Sequence, residues 1–137
     1  MPEKVNFNLT KVQKKQDFDA LHINQRKGHI HGYINVYKFL DKDTRQFVVY
    51  APSLDTSGYG ETEEKATFMI KESLTDIFMS FIKMPPDHLS AELLKFGWKK
   101  HSLRNKDFSN PSVGLDENKL EELNVDKNHI ERFALVA

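Results

Sequence analysis

Cysteine is absent from all 137 residues, which excludes disulfides, thiol chemistry and cysteine hydrolases, and suits a reducing compartment. No charge of one sign dominates, because 20 Lys and Arg are balanced by 20 Asp and Glu. A general electrostatic nucleic-acid binder carries a basic excess, so the chain as a whole does not read as one. No apolar run approaches the roughly 20 residues of a membrane span. Met1-Pro2-Glu3-Lys4 lacks the apolar stretch of a signal peptide. The expectation is therefore a soluble cytoplasmic protein that engages no membrane. No serine lies in a Gly-x-Ser-x-Gly elbow, and Gly58-Tyr59-Gly60 is too short for a dinucleotide loop. There is no internal repeat and no low-complexity segment.

What the sequence does have is enough apolar material for one core in a single domain, 1–137, with ten Phe among 39% hydrophobic residues. The clearest signal starts at Gly60-Glu61-Thr62-Glu63-Glu64-Lys65-Ala66. From Ala66 a stripe continues through Met69, Ile70, Leu74, Ile77, Phe78, Phe81 and Ile82 at steps of three and four, the period of a helix. Thr62 suits the N-cap, and Glu63 and Glu64 stand where the helix dipole favours negative charge. Pro85-Pro86 ends the run after Lys83, because a proline disfavours helical geometry in the residue before it. At 1.5 Å per residue the helix spans about 33 Å, enough to cross a small sheet.

Strand signals flank it. Residues 5–10 alternate apolar and polar. Residues 11–24 show no clear period, and a polar turn around Lys14-Lys15 followed by an extended stretch 18–23 accommodates them. Residues 25–28 read as a turn. His29–Leu40 is a strong strand with Ile30, Gly32, Ile34 and Val36 on one face and His29, His31, Tyr33, Asn35 and Tyr37 on the other. A polar loop, 41–45, leads into an apolar strand, 46–51, that Pro52 ends. Residues 53–59 read as a loop. A short helix begins at Pro86 or Asp87 and closes at Gly97, with Trp98 folding back onto the core. Residues 99–115 read as loop, 116–123 as a short helix and 130–136 as a final strand. The predicted class is α+β: a small, mostly antiparallel sheet of three to four strands, one long helix on one face, a short C-terminal helix and a last strand.

Two of these stretches carry a resemblance. Phe47-Val48-Val49-Tyr50-Ala51-Pro52, then Gly60-Glu61-Thr62-Glu63-Glu64-Lys65-Ala66 opening the long helix, resembles the HicB-like family of toxin–antitoxin antitoxins over 47–83. Leu94-Lys95-Phe96-Gly97-Trp98 is similar to an element that follows the helix in some members. The resemblance implies a degenerate ribonuclease-H-like fold without a nuclease site, which serves to bind a small ribonuclease toxin. Pro52, Gly60, Thr62 and Ala66 are its turn and cap positions: Gly60 for a positive φ, Thr62 as cap, Ala66 for close packing. The DNA-binding module of many members has no counterpart in 97–137, so a nucleic-acid partner is not expected.

The expected function is a non-enzymatic protein-binding module. Tyr33, Tyr37, Tyr50 and Tyr59 are its candidate partner-binding residues, since tyrosine is enriched in interfaces. The partners expected are a second copy, as a homodimer through sheet edges or the aromatic sheet face, and a small ribonuclease toxin. Two alternatives rest on other residues. His29 and His31 share a strand face and could serve a small enzyme or a metal, but zinc needs further ligands that His22, His88, His101 and His129 do not clearly supply. Lys95, Lys99, Lys100, His101, Arg104 and Lys106 surround Trp98 as a phosphate-contacting patch would. Asp55, Glu61, Glu63 and Glu64 cluster as in a capped helix start rather than a two-metal centre. No catalytic residue, metal or cofactor is assigned.

Overall fold

The computed structural model describes residues 7–13, 16–111 and 114–137. Val5 and Asn6 of the expected first strand, and the Lys14-Lys15 turn, lie outside the described residues. The strands are β1 (Thr10–Val12), β2 (Asp19–Asn24), β3 (His29–Leu40), β4 (Phe47–Ala51), β5 (Thr56–Gly60), β6 (Lys99–Lys100), β7 (Asp107–Asn110) and β8 (Glu131–Val136). The helices are α1 (Glu63–Lys83), α2 (Pro86–Lys95) and α3 (Glu117–Glu122). They form an α+β domain around one open, antiparallel sheet.

Among the described residues the sheet has eight strands where three to four were expected. Two stretches that read as loop account for most of the difference. Residues 53–59 contain β5, whose Thr-Ser-Gly-Tyr-Gly sequence is poor in strand formers. A single turn at Pro52–Leu54 and a left-handed Asp55 (φ 46°) swing it back to pair with β4. Residues 99–115 contain β6 and β7, where Phe108 supplies the one buried apolar side chain of a four-residue strand. Such short pieces lack the alternation that identifies a strand in a sequence.

β3 is the hub. One of its edges pairs with β8 over Tyr33 to Lys38, and β8 in turn carries β1. Its other edge pairs with β2 over His29 to Tyr33 and then with β4 over Tyr37 to Leu40. β2 carries β7, and β7 carries β6. The final strand β8 is therefore interior, between β3 and β1.

α1 lies across one face. Ala66, Ile70, Leu74, Phe78 and Phe81 are its buried positions, as the stripe requires, and they meet Ile34, Val36, Val49 and Leu135 of the sheet. Thr62 Oγ1 accepts the Lys65 backbone N–H at 3.1 Å, which makes Thr62 the N-cap. At the other end Met84 is extended (ψ 148°), as a residue before proline prefers. Gly97 follows α2 with φ +90°, and Trp98 N–H returns to the Leu93 carbonyl at 3.1 Å. Trp98 is buried and its Nε1 donates to the Ser53 carbonyl at 2.8 Å.

Gly60 departs from expectation. The glycines with positive φ among the described residues are Gly28 and Gly97. Gly60 sits at the end of β5, and an added Cβ would stand 2.7 Å from Lys65 Cβ. Its role is close approach of strand to helix, not a left-handed turn. The cap itself yields a prediction. Thr62→Ala should lower stability by about 1 kcal/mol, read as a fall in the urea midpoint at unchanged slope. An unmoved midpoint would show that Thr62 does not cap.

Candidate functional site

The four tyrosines share one face, the one turned away from α1. Tyr37 stands directly opposite Tyr50, Tyr33 precedes Tyr37 by four residues, and Tyr59 is opposite Val48, two positions from Tyr50. Strand alternation puts all of these on the same side. They are not equally open. Residues 115–125, including α3, pack over Tyr50 and Phe39 through Leu115, Leu120, Leu123 and Val125. Tyr33 and Tyr50 are buried, Tyr37 is half-buried and Tyr59 is 54% exposed. Tyr50 donates its hydroxyl to Asp55 at 2.6 Å. Burial, then that bond, push its pKa well above the usual phenol value.

Below Tyr37 lies a buried polar cluster that no sequence pattern announced. β2 leaves β3 after Tyr33 and β4 joins only at Tyr37, so among the described residues no strand lies on that edge beside residues 34–36. Asp19 fills the gap. Its Oδ1 accepts the Asn35 backbone N–H at 3.0 Å and the Asn35 amide at 2.6 Å, and its Oδ2 accepts the Ser53 hydroxyl. Arg132 Nε donates to Asn35 Oδ1 at 2.9 Å, and its guanidinium also donates to the Gln16 carbonyl. Burial raises the Asp19 pKa, against the opposing pull of the Ser53 and Asn35 bonds and the Arg132 charge. Burial also raises that of Tyr37, with Arg132 opposing. Asp19 is fully buried, and this cluster joins the two halves of the sheet edge.

The open edge nearest the exposed tyrosine is β5. Among the described residues it pairs with β4 alone. On its inner side Gly58 is pressed beneath α1, where an added Cβ would lie 2.4 Å from the Ala66 carbonyl oxygen and from Ile70 N. On its outer side the Tyr59 backbone N–H points at Met69 Sδ, 3.5 Å away. A thioether is a weak acceptor. Phe68, which sequence reasoning missed, is 64% exposed on the solvent side of α1. Its signal was there to read: it is an aromatic residue that falls off the buried stripe.

The histidine face gains members. His22 of β2 stands opposite His31, and Asp107 of β7 stands opposite His22. His22 Nδ1 is 2.6 Å from Asp107 Oδ1, and the His22–His31 and His29–His31 ring centroids are 6.4 and 6.2 Å apart. His22, His31 and Asp107 line an open groove of about 410 Å³ that also takes in Tyr33, His101 and Arg104. Asp107 orients the His22 ring. Among the described residues no three His, Asp or Glu side chains stand together as a metal ion requires.

The carboxylates of the helix start do not converge either. Glu63 accepts from Lys11 at 2.8 Å and from Lys38 at 3.0 Å, and these two cations lower its pKa. The basic run is divided by the fold. Lys95 pairs with Glu92 at 2.8 Å, and Arg104 lies 3.9 Å from Asp107. Trp98 is in the core and offers no stacking platform.

No protein-family profile, no characterised protein and no solved structure matches this chain. Among the described residues no helix is long and apolar enough to cross a membrane.

Proposed function

We propose that the chain is a non-enzymatic protein-binding module whose partner is a second copy of itself, paired through the β5 edge. The observation that carries this reading is the Tyr59 N–H, held on the outside of an edge strand by a methionine sulfur at 3.5 Å. A carbonyl from an added strand is a far better acceptor than a thioether, so pairing improves the bond already made. Unpaired edges are the sites where extended segments add to sheets. Antiparallel pairing about a two-fold axis through Gly58 sets Tyr59 opposite Ser57 of the other copy. It needs no new turn or loop, and a two-fold dimer is the commonest closed assembly. The resemblance to HicB-like antitoxins, whose fold binds a small ribonuclease toxin, supports binding over catalysis and supplies a second partner class for the same edge.

The test is sedimentation velocity. At about 50 μM, a concentration at which a micromolar dimer saturates, the protein should sediment at twice the 15.9 kDa chain mass. Ser57→Lys with Tyr59→Lys places like charges opposite one another across the edge. That variant should sediment as a monomer with an unchanged circular dichroism spectrum. A wild-type monomer contradicts self-pairing, and a variant that still dimerises moves the interface away from β5.

A further inference from the structure

We infer that a cavity of about 530 Å³ beneath α2 binds a small organic anion with an apolar body. Three segments enclose it: the β2–β3 turn, the α1–α2 junction and the β6–β7 hairpin. Ile23, Leu89 and Phe108, all nearly inaccessible, form its floor. Arg26, Lys100 and Lys106 form its rim. The register explains why these groups meet. Lys100 is directly opposite Phe108, and alternation places Lys106, Phe108 and Ile23 on the same side of the sheet as the helices.

The lining is one-signed. It holds three cations and no carboxylate, although acids and bases are equal in number over the chain. Among the described residues none of these three cations makes an ion pair, whereas their neighbours Lys95 and Arg104 each face an acid. A concave, low-dielectric wall with unbalanced charge concentrates the field on what enters it. The walls are also fixed in place. Gln25 Nε2 donates to the Phe81 carbonyl at 2.8 Å and the Met84 carbonyl at 2.6 Å, which ties the turn to the end of α1. Ile23 N–H donates to the Lys106 carbonyl at 2.8 Å, which ties the hairpin to β2. The volume falls within the 300 to 1,000 Å³ or so typical of small-molecule sites. The apolar floor calls for a hydrocarbon or aromatic body, and the rim for a sulfonate, phosphate or carboxylate.

The probe is 8-anilinonaphthalene-1-sulfonate, compared with N-phenyl-1-naphthylamine, which keeps the rings and lacks the charge. Fluorescence titration should give saturable one-to-one binding of the sulfonate with Kd on the order of 50 μM, and about tenfold weaker binding of the uncharged amine. Lys100→Gln with Lys106→Gln should weaken the sulfonate about tenfold, while Lys95→Gln with Lys99→Gln, outside the lining, should change it less than about twofold. In the wild-type protein the sulfonate should shift the methyl resonances of Ile23 and Leu89 first. Equal losses from the two double variants would overturn the inference. So would equal affinity for the two probes, no saturable binding, or methyl shifts confined to the exposed Leu94 and Leu103. The methyl shifts decide the question even if a variant fails to fold.

Discussion

Asp19→Ala is expected to destabilise the protein by about 3 kcal/mol, among the largest single effects in this fold. The carboxylate is fully buried and serves three donors, namely the Asn35 backbone N–H, the Asn35 amide and the Ser53 hydroxyl. Alanine leaves all three in a place that water does not reach. The Asn35 N–H is the most expensive, because no strand lies on that stretch of β3 to accept it. Asp19→Asn should cost about 1 kcal/mol, since its amide oxygen can accept from Asn35 and its NH₂ can donate to Ser53 Oγ. The two variants separate the loss of an acceptor from the loss of a charge. Equal and small costs for both would mean that Asp19 does not bridge the gap in the sheet.

The same residue gives a pH dependence with a definite sign. Burial holds the folded Asp19 pKa above its unfolded value. The folded state therefore binds the proton more tightly, and stability is lost as pH rises from the unfolded value of about 3.9 through the raised folded value. Asparagine has no such ionisation. The cost of Asp19→Asn should shrink as pH increases across that window, measured as the difference in urea midpoint between variant and wild type. A cost that grows with pH would reverse the assignment.

Gly58→Ala should cost about 3 kcal/mol for a different reason. The added Cβ meets backbone atoms of α1 at 2.4 Å, and a helix backbone cannot rotate out of the way as a side chain can. Either α1 lifts from β5, opening a void over Val49 and Ala51, or the strand bends. At Gly60 the first atom met is Lys65 Cβ at 2.7 Å, whose side chain can adjust, so Gly60→Ala should cost less. Gly114→Ala meets nothing within 4 Å and serves as the near-neutral control. Thermal denaturation of the three variants should rank them in that order. A Gly58→Ala protein that melts with the wild type would contradict the close strand–helix contact.

The residues differ in how much of this they disclose on their own. α1 was legible because cap, dipole charges, stripe and Pro85-Pro86 stop agree over more than twenty positions. β3 was legible from its alternation, and Gly97 and Trp98 from the way helices end. β5 was not, since its two glycines are chosen for the helix above it and not for strand propensity. β6 and β7 are too short to show a period. The Asp19 cluster depends on β2 and β4 sharing one edge of β3, and no local pattern encodes that. Alternation alone put Tyr33 and Tyr37 on one strand face, whereas Tyr59 read as loop and joins that face only because β5 folds back on β4, and the cover provided by residues 115–125 depends on α3 docking. Likewise the basic run 95–106 reads as one patch in the chain. The fold turns Lys100 and Lys106 toward a cavity and leaves Lys95 in an ion pair.

The most direct measurement of the proposed interface is amide hydrogen exchange followed as a function of protein concentration. If β5 pairs with its copy, protection of the Tyr59 amide, and of β5 as a whole, should rise with concentration over the range in which the dimer forms. The outer amides of β1 and β6 should exchange at the same rate throughout. Exchange in β5 that stays fast and independent of concentration, or protection that appears instead at β1 or β6, would contradict the account.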